Sequence, residues 1–246
     1  MTSDELLATA LEAHGGADRW VRIDEVVLDV RSGGFAPLVK GRRREIARYR
    51  GRFSTREPRA VLDPYPRPGQ RGLFERDEVR IESEDGRVLE RRPDPRSRFG
   101  LRRKLWWDHL DMLHFAGYAM WNYACAPFLL AGEGFESREI EPWDEDGERW
   151  RRLAVRFPPT IPTHSREQVF HFDASGRLRR HDYTAEVFGG WAKAAHYCDE
   201  HREFGGIVFP TRRRVYPRSR SGRPRPVPLL VRIDIDSAEL VACAAA

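Results

Sequence analysis

Arg166-Glu-Gln-Val-Phe-His-Phe-Asp-Ala-Ser-Gly-Arg-Leu-Arg-Arg-His-Asp-Tyr-Thr184 decides the fold. At its centre, Asp173-Ala-Ser-Gly176 supplies a glycine free to take the positive φ that a tight turn needs. On both sides stand residues that favour strands: Val169, Phe170, Phe172, Leu178 and Tyr183. The stretch predicts a hairpin, 166–172 against 177–187. The same punctuation recurs along the chain. Gly189-Gly190 precedes a strand at 192–204, and Gly205-Gly206 precedes one at 207–216. Asp146-Gly147 leads into 149–157, and Asp85-Gly86 separates 78–82 from 87–91. Strands that follow one another through tight turns are antiparallel. The expectation is a mainly β (α+β) fold: one large curved antiparallel sheet forming an open half-barrel, and therefore a container.

Upstream, Thr2-x-x-Glu5 has capping-box spacing. Leu6, Leu7, Ala10 and Leu11 follow on one helical face, and Gly15-Gly16 ends that helix. Strands are expected at 23–31, 38–50, 52–55 and 60–62. Pro64-Tyr-Pro-Arg-Pro-Gly69 is too proline-rich for a central strand and reads as a rim loop. A helical insert at about 105–131 carries dense aromatics, and Asn122 and Pro127 predict that it splits into two helices. Its apolar residues need a surface to lie on, and the concave face of the sheet is available. The proline- and arginine-rich segment 218–228 reads as a mobile loop, 229–235 as a closing strand, and 242–246 as a frayed tail. No composition shift marks a boundary, so one domain over 1–246 is expected.

The chain has 246 residues, 40% of them hydrophobic, enough to bury a core. Net charge is +5, but 38 acidic residues interleave with 43 basic ones, so no nucleic-acid footprint forms. Three scattered cysteines, Cys125, Cys198 and Cys243, form no disulfide framework and fit a reducing cytoplasm. Met-Thr-Ser-Asp-Glu has no basic or apolar leader pattern and no lipobox, so neither signal peptide nor lipid anchor is expected. No stretch is apolar enough to span a bilayer as a helix.

Ala13-His-Gly-Gly16 followed by Trp20, the hairpin Phe170-His-Phe-Asp-Ala-Ser-Gly-Arg-Leu178, and Phe204-Gly-Gly-Ile-Val-Phe-Pro210 together resemble patterns of one superfamily. It comprises the lipoprotein carriers and lipid-binding lipoproteins, typified by the periplasmic lipoprotein-sorting carrier. The resemblance implies an open half-barrel with helices plugging the concave side around an apolar cavity. It implies a lipophilic ligand.

Strand alternation puts His181 and Tyr183 on one face and Asp182 on the other. A bulge at Gly176 would place His171 with them; without it Phe170 takes that place. Two imidazoles and a phenol could do acid–base work near neutral pH. His114, at i+3 from Asp111, is a further catalytic candidate. Trp106, Trp107, Tyr118, Trp121 and Tyr123 are the ligand-lining candidates, since rings with a polar tip suit a cavity. His196, Cys198 and His201 are spaced wrongly for a shared strand face, so no metal site is expected. No phosphate-binding glycine loop, nucleophile elbow or zincin motif occurs, and no cofactor is expected. The sequence thus predicts a cytoplasmic binding protein for a lipophilic small molecule. The alternative is a cofactor-independent acid–base enzyme, an isomerase, cyclase or lyase, in the same pocket. A lesser expectation is contact with an anionic membrane surface through 218–225.

Overall fold

The glycine-punctuated strands pair into a single sheet whose order differs from the chain order at one place. The structure, a computed structural model, describes residues 3–99 and 106–243. Six strands come first: β1 (Ile23–Gly33), β2 (Arg48–Ser54), β3 (Arg59–Asp63), β4 (Gln70–Glu75), β5 (Glu78–Ser83) and β6 (Val88–Pro93). Seven follow: β7 (Glu136–Glu145), β8 (Glu148–Arg156), β9 (Glu167–Phe172), β10 (Leu178–Thr184), β11 (Lys193–Phe204), β12 (Ile207–Pro217) and β13 (Val231–Ala242). The order is β6-β5-β4-β3-β2-β1-β13-β12-β11-β10-β9-β8-β7, antiparallel throughout and not closed. The first half winds outward from the centre to one edge and the second half winds inward from the other. The chain between β6 and β7 must therefore pass from edge to edge. It carries helix α4 (His109–Cys125) across the concave face.

Helix α1 (Ser3–Ala13) buries Leu6 and Ala10; Thr2 of its expected cap lies outside the described residues. Gly15, at φ +117°, lets the chain pass so close to the β11–β12 turn that a Cβ there would stand 2.1 Å from Gly206 O. A short helix α2 (Ala17–Trp20) then leads into β1. Trp20 stacks on Phe128, ring centroids 4.4 Å apart, closing that end of the core.

Several expectations need correction. Residues 38–50 are not one strand: helix α3 (Phe35–Val39) comes first and β2 starts only at Arg48. Phe35 and Ala36 donate their N–H groups to Leu229 O and Leu230 O, which ties α3 to the rim. Strands β4 and β7 escaped the sequence reading. One is hidden behind the prolines; the other is too polar to alternate. Asn122 does not split the insert: its Nδ2 donates to Tyr118 O at 2.7 Å and Pro162 O at 2.9 Å, so it sits inside α4. The helix starts at His109, with Asp108 and Asp111 in a reciprocal capping box, while residue 105 lies outside the described residues. A 3₁₀ turn, Phe128–Ala131, follows Pro127. The last strand is longer than expected and central: β13 pairs with both β1 and β12. It holds the chain as far as Ala242, beyond which 244–246 are outside the described residues.

Of the 17 residues of α4, 15 are buried. The helix lies against β2, β3, β4 and β5, and Gly117 permits it: a Cβ there would stand 2.4 Å from Phe74 Cβ. The main core is this helix and the concave residues Val26, Leu28, Phe53, Leu62, Phe74 and Ile81.

Candidate functional site

The site is the space between α4 and the concave face of β9–β13. The loop between β8 and β9 turns inward to deliver His164, which is fully buried. Ser165 fixes that loop by accepting the Thr184 N–H at 3.1 Å, and Gln168 Nε2 donates to Thr163 Oγ1 at 2.6 Å. His164 Nε2 lies 2.7 Å from Tyr123 Oη, and its Nδ1 lies 3.3 Å from Tyr118 Oη. Tyr123 Oη is 3.0 Å from Tyr183 Oη, and the Tyr183 ring stacks on His164 at 3.9 Å. His164 thus joins two α4 phenols to one strand phenol. Burial holds its pKa down at about 3, so the ring is neutral. The same desolvation pushes the Tyr123 and Tyr183 phenols up.

His181 donates its Nε2–H to Gln168 Oε1 and stacks on Phe170 at 4.2 Å. His196 stands edge-on to Tyr123 at 4.6 Å, and among the described residues both its ring nitrogens lack a hydrogen-bond partner. Burial keeps both imidazoles well below their usual pKa. Beside them lies Arg213, 1% exposed. Its Nη1 donates to Cys198 Sγ at 3.3 Å, its Nη2 to Tyr123 O at 3.1 Å, and its guanidinium covers the Tyr123 ring at 5.1 Å.

The sequence candidates are distributed unevenly. His181 and Tyr183 do share the concave face. His171 does not join them. The Asp173 N–H donates to Arg177 O as the bulged turn requires, but a second extra residue, Arg179, restores the phase. Phe170 therefore opposes His181, and His171 opposes Arg180 on the convex side. His114 lies apart among Phe74, Phe99 and Tyr118, with neither ring nitrogen hydrogen-bonded among the described residues. Its expected contact Asp111 instead pairs with Arg92 at 2.8 Å. Trp106 is 79% exposed. Trp107 packs on Phe188 at 4.7 Å, and Trp121 donates to Ser54 O at 2.8 Å; both are core. Tyr118 faces His164, and Tyr123 lines a gap at the rim. That gap is about 30 Å³, bounded by Ser32, Ile46, Phe115, Met120, Tyr123 and Ile233 among others. It has room for about one water and no more.

His164 and Arg213 were missed. His164 carries no local signal, since only the fold brings its loop inside. Arg213 did carry one: alternation in 207–216 puts it on the face of Val215 and Phe209, which is apolar. Of the residues spaced like metal ligands, Cys198 bonds within its own strand and to Arg213, while His201 packs against His14 at 6.0 Å. Among the described residues no three His, Cys, Asp or Glu side chains converge.

The segment 218–228 folds back onto the convex face. There Arg180, fully buried, donates to Asp182 Oδ1 at 2.7 Å, Glu145 Oε2 at 2.9 Å and the Gly222 carbonyl. Arg223 lies over Trp143 at 4.8 Å, and Arg218 Nε is 3.6 Å from Asp182. The expected mobile loop is the cover of a buried ion network.

No protein-family model and no curated protein sequence matches the chain. Solved structures do. The LolA superfamily protein from Nitrosomonas europaea is 14% identical with a TM-score of 0.57, the match covering 99% of this chain and 96% of that one. A DUF1329 family protein from Desulfovibrio piger is 12% identical with a TM-score of 0.54, covering 96% and 92%. An outer membrane lipoprotein-sorting protein domain from Vibrio parahaemolyticus is 11% identical with a TM-score of 0.50, covering 97% and 93%. Among the described residues no helix is long and apolar enough to cross a membrane. The thirteen-stranded open sheet with a helix across its concave face is the lipoprotein-carrier-like half-barrel fold.

Proposed function

We propose that this protein binds a lipophilic small molecule between α4 and the concave face of the sheet, with α4 as the moving part. The observation that carries this reading is the helix itself. It is buried on 15 of 17 positions, yet it belongs to neither edge strand it connects and rests on the sheet chiefly by apolar packing. An apolar chain taking its place against the sheet would recover the burial that α4 gives up, at roughly 25 cal/mol per Å². The gap at the rim marks where such a chain enters, between α4 and β13. Helix α3 stands over that rim with Phe35, Leu38 and Val39 exposed. One of the similar structures is named as a lipoprotein-sorting protein domain; only a lipid-like, apolar ligand is carried over here.

We place the protein in the cytoplasm, where its three free thiols stay reduced. The acid–base enzyme is the second reading, and the His164–Tyr123–Tyr183 cluster favours it over the His171 grouping. In that reading His164→Phe abolishes turnover and leaves ligand affinity in place. Anionic membrane contact through 218–225 is a separate proposal. It would rest on the exposed Arg220 and Arg225, because Arg218 and Arg223 face the convex network.

Native mass spectrometry of the purified protein, with denaturing extraction of whatever leaves it, tests the main reading. A co-purifying apolar molecule is expected. An empty protein that also fails to enhance the emission of an apolar dye contradicts it.

A further inference from the structure

Among the described residues, Arg213 is a buried cation with no carboxylate among its contacts. Those contacts are a sulfur, a backbone carbonyl and a phenol ring, and Nε–H has no acceptor at all. Charged groups this deep are ordinarily paired, because an uncompensated charge in a water-free interior is strongly unfavourable. The other inward polar groups do not answer it. His14, His181, His196 and His201 are held neutral by burial, and Tyr123 and Tyr183 are phenols held protonated. The nearest buried carboxylate on these strands, Asp182, points to the opposite face and is occupied by Arg180. The interior of this half of the barrel is therefore electropositive, with unused donor capacity on Arg213 and on unpartnered His196.

This centre adjoins the gap at the rim. Ile233 lines the gap and is the cross-strand neighbour of Arg213. Tyr123 also lines the gap and carries the guanidinium on its ring. One layer of side chain separates the two.

We propose that the ligand is an amphiphile with a single carboxylate, a long-chain monocarboxylic acid, whose head group pairs with Arg213 beside His196 while its chain lies along β13. This deepens the proposed function and rests on it. A guanidinium fork matches the two oxygens of a carboxylate, and binding would supply the counter-charge that the empty protein lacks.

The test compares palmitic acid, the matching alcohol and the matching alkyl phosphate by titration calorimetry, on the wild type, Arg213→Gln and Arg213→Lys. Wild type should bind the acid at least about tenfold more tightly than the alcohol, as expected for a hydrogen bond to a charged group. Arg213→Gln should lose that preference while keeping alcohol affinity. Arg213→Lys should keep part of it; should the Gln variant not fold, Lys and wild type decide. Equal binding of acid and alcohol by wild type, or an undiminished preference in Arg213→Gln, overturns the head-group assignment but leaves the lipophilic site standing. Tighter binding of the alkyl phosphate overturns the carboxylate. If no probe binds, the binding function itself fails, and the head group with it.

Discussion

Lowering the pH toward 5 should destabilise this protein through its buried histidines. His114 and His164 are buried, and desolvation is the main cause that holds both at a pKa of about 3, against 6.5 when exposed. A folded-state pKa below the unfolded one means the unfolded chain binds more protons on acidification. The stabilising effect of the neutral ring is complete above pH 6.5 and is lost as pH falls toward the folded value. Around pH 5 the unfolded state carries nearly one extra proton per histidine, a slope of about 1.4 kcal/mol per pH unit each. Between pH 7.5 and 5 that removes about 2 kcal/mol per histidine, or about 4 for the pair. His181 and His196 add in the same direction. Asp182 and Glu145, held low, act only in the carboxylate range below about pH 4.5. Set against a typical total of about 5–15 kcal/mol, the loss is large. Urea unfolding at pH 7.5 and pH 5 measures it, and His114→Leu should reduce the slope by the share of one histidine. Equal stability at the two pH values, within about 1 kcal/mol, would refute the reasoning, because it would mean these rings are solvated or paired.

Other consequences are open to direct measurement. Gly117→Ala forces a methyl against Phe74 and should destabilise by about 1–3 kcal/mol, read as a lower denaturation midpoint; an unchanged midpoint would show that α4 can ride higher on the sheet. Arg180→Met strands Asp182 and Glu145 inside the convex network and should cost about 3–5 kcal/mol. Removal of 219–225 should lower the thermal midpoint and expose Trp143 to quenchers, whereas a loop that only hangs in solvent would leave both unchanged. Trp191→Ser, at a site 80% exposed, should stay within about 0.5 kcal/mol of wild type and serve as the control.

What the sequence made legible follows from period and punctuation. Asp173–Gly176, Gly205-Gly206 and Asp146-Gly147 each mark a real hairpin because a positive φ is a local requirement with a local solution. Strand β7 was invisible because it is an edge strand whose exposed residues need no alternation, and Pro142 argued against it. The aromatic insert was recognisable as a helix on the sheet, but its five rings could not be sorted. Trp106 and Trp107 are chain neighbours, and only tertiary contact sends one to solvent and the other under Phe188 and Lys40. His171 was misplaced because a bulge at Arg179 leaves no mark in a run of charged residues. His164 and Arg213 meet Tyr123 from segments about forty and ninety positions away, a juxtaposition that no spacing rule encodes.

Hydrogen exchange, with and without a bound long-chain acid, reports whether α4 moves. Binding should change protection throughout α4, residues 109–125, and at the rim of β13, while β8–β11 keep theirs. Binding that leaves α4 unchanged would contradict the moving helix. So would protection gained only on the convex face.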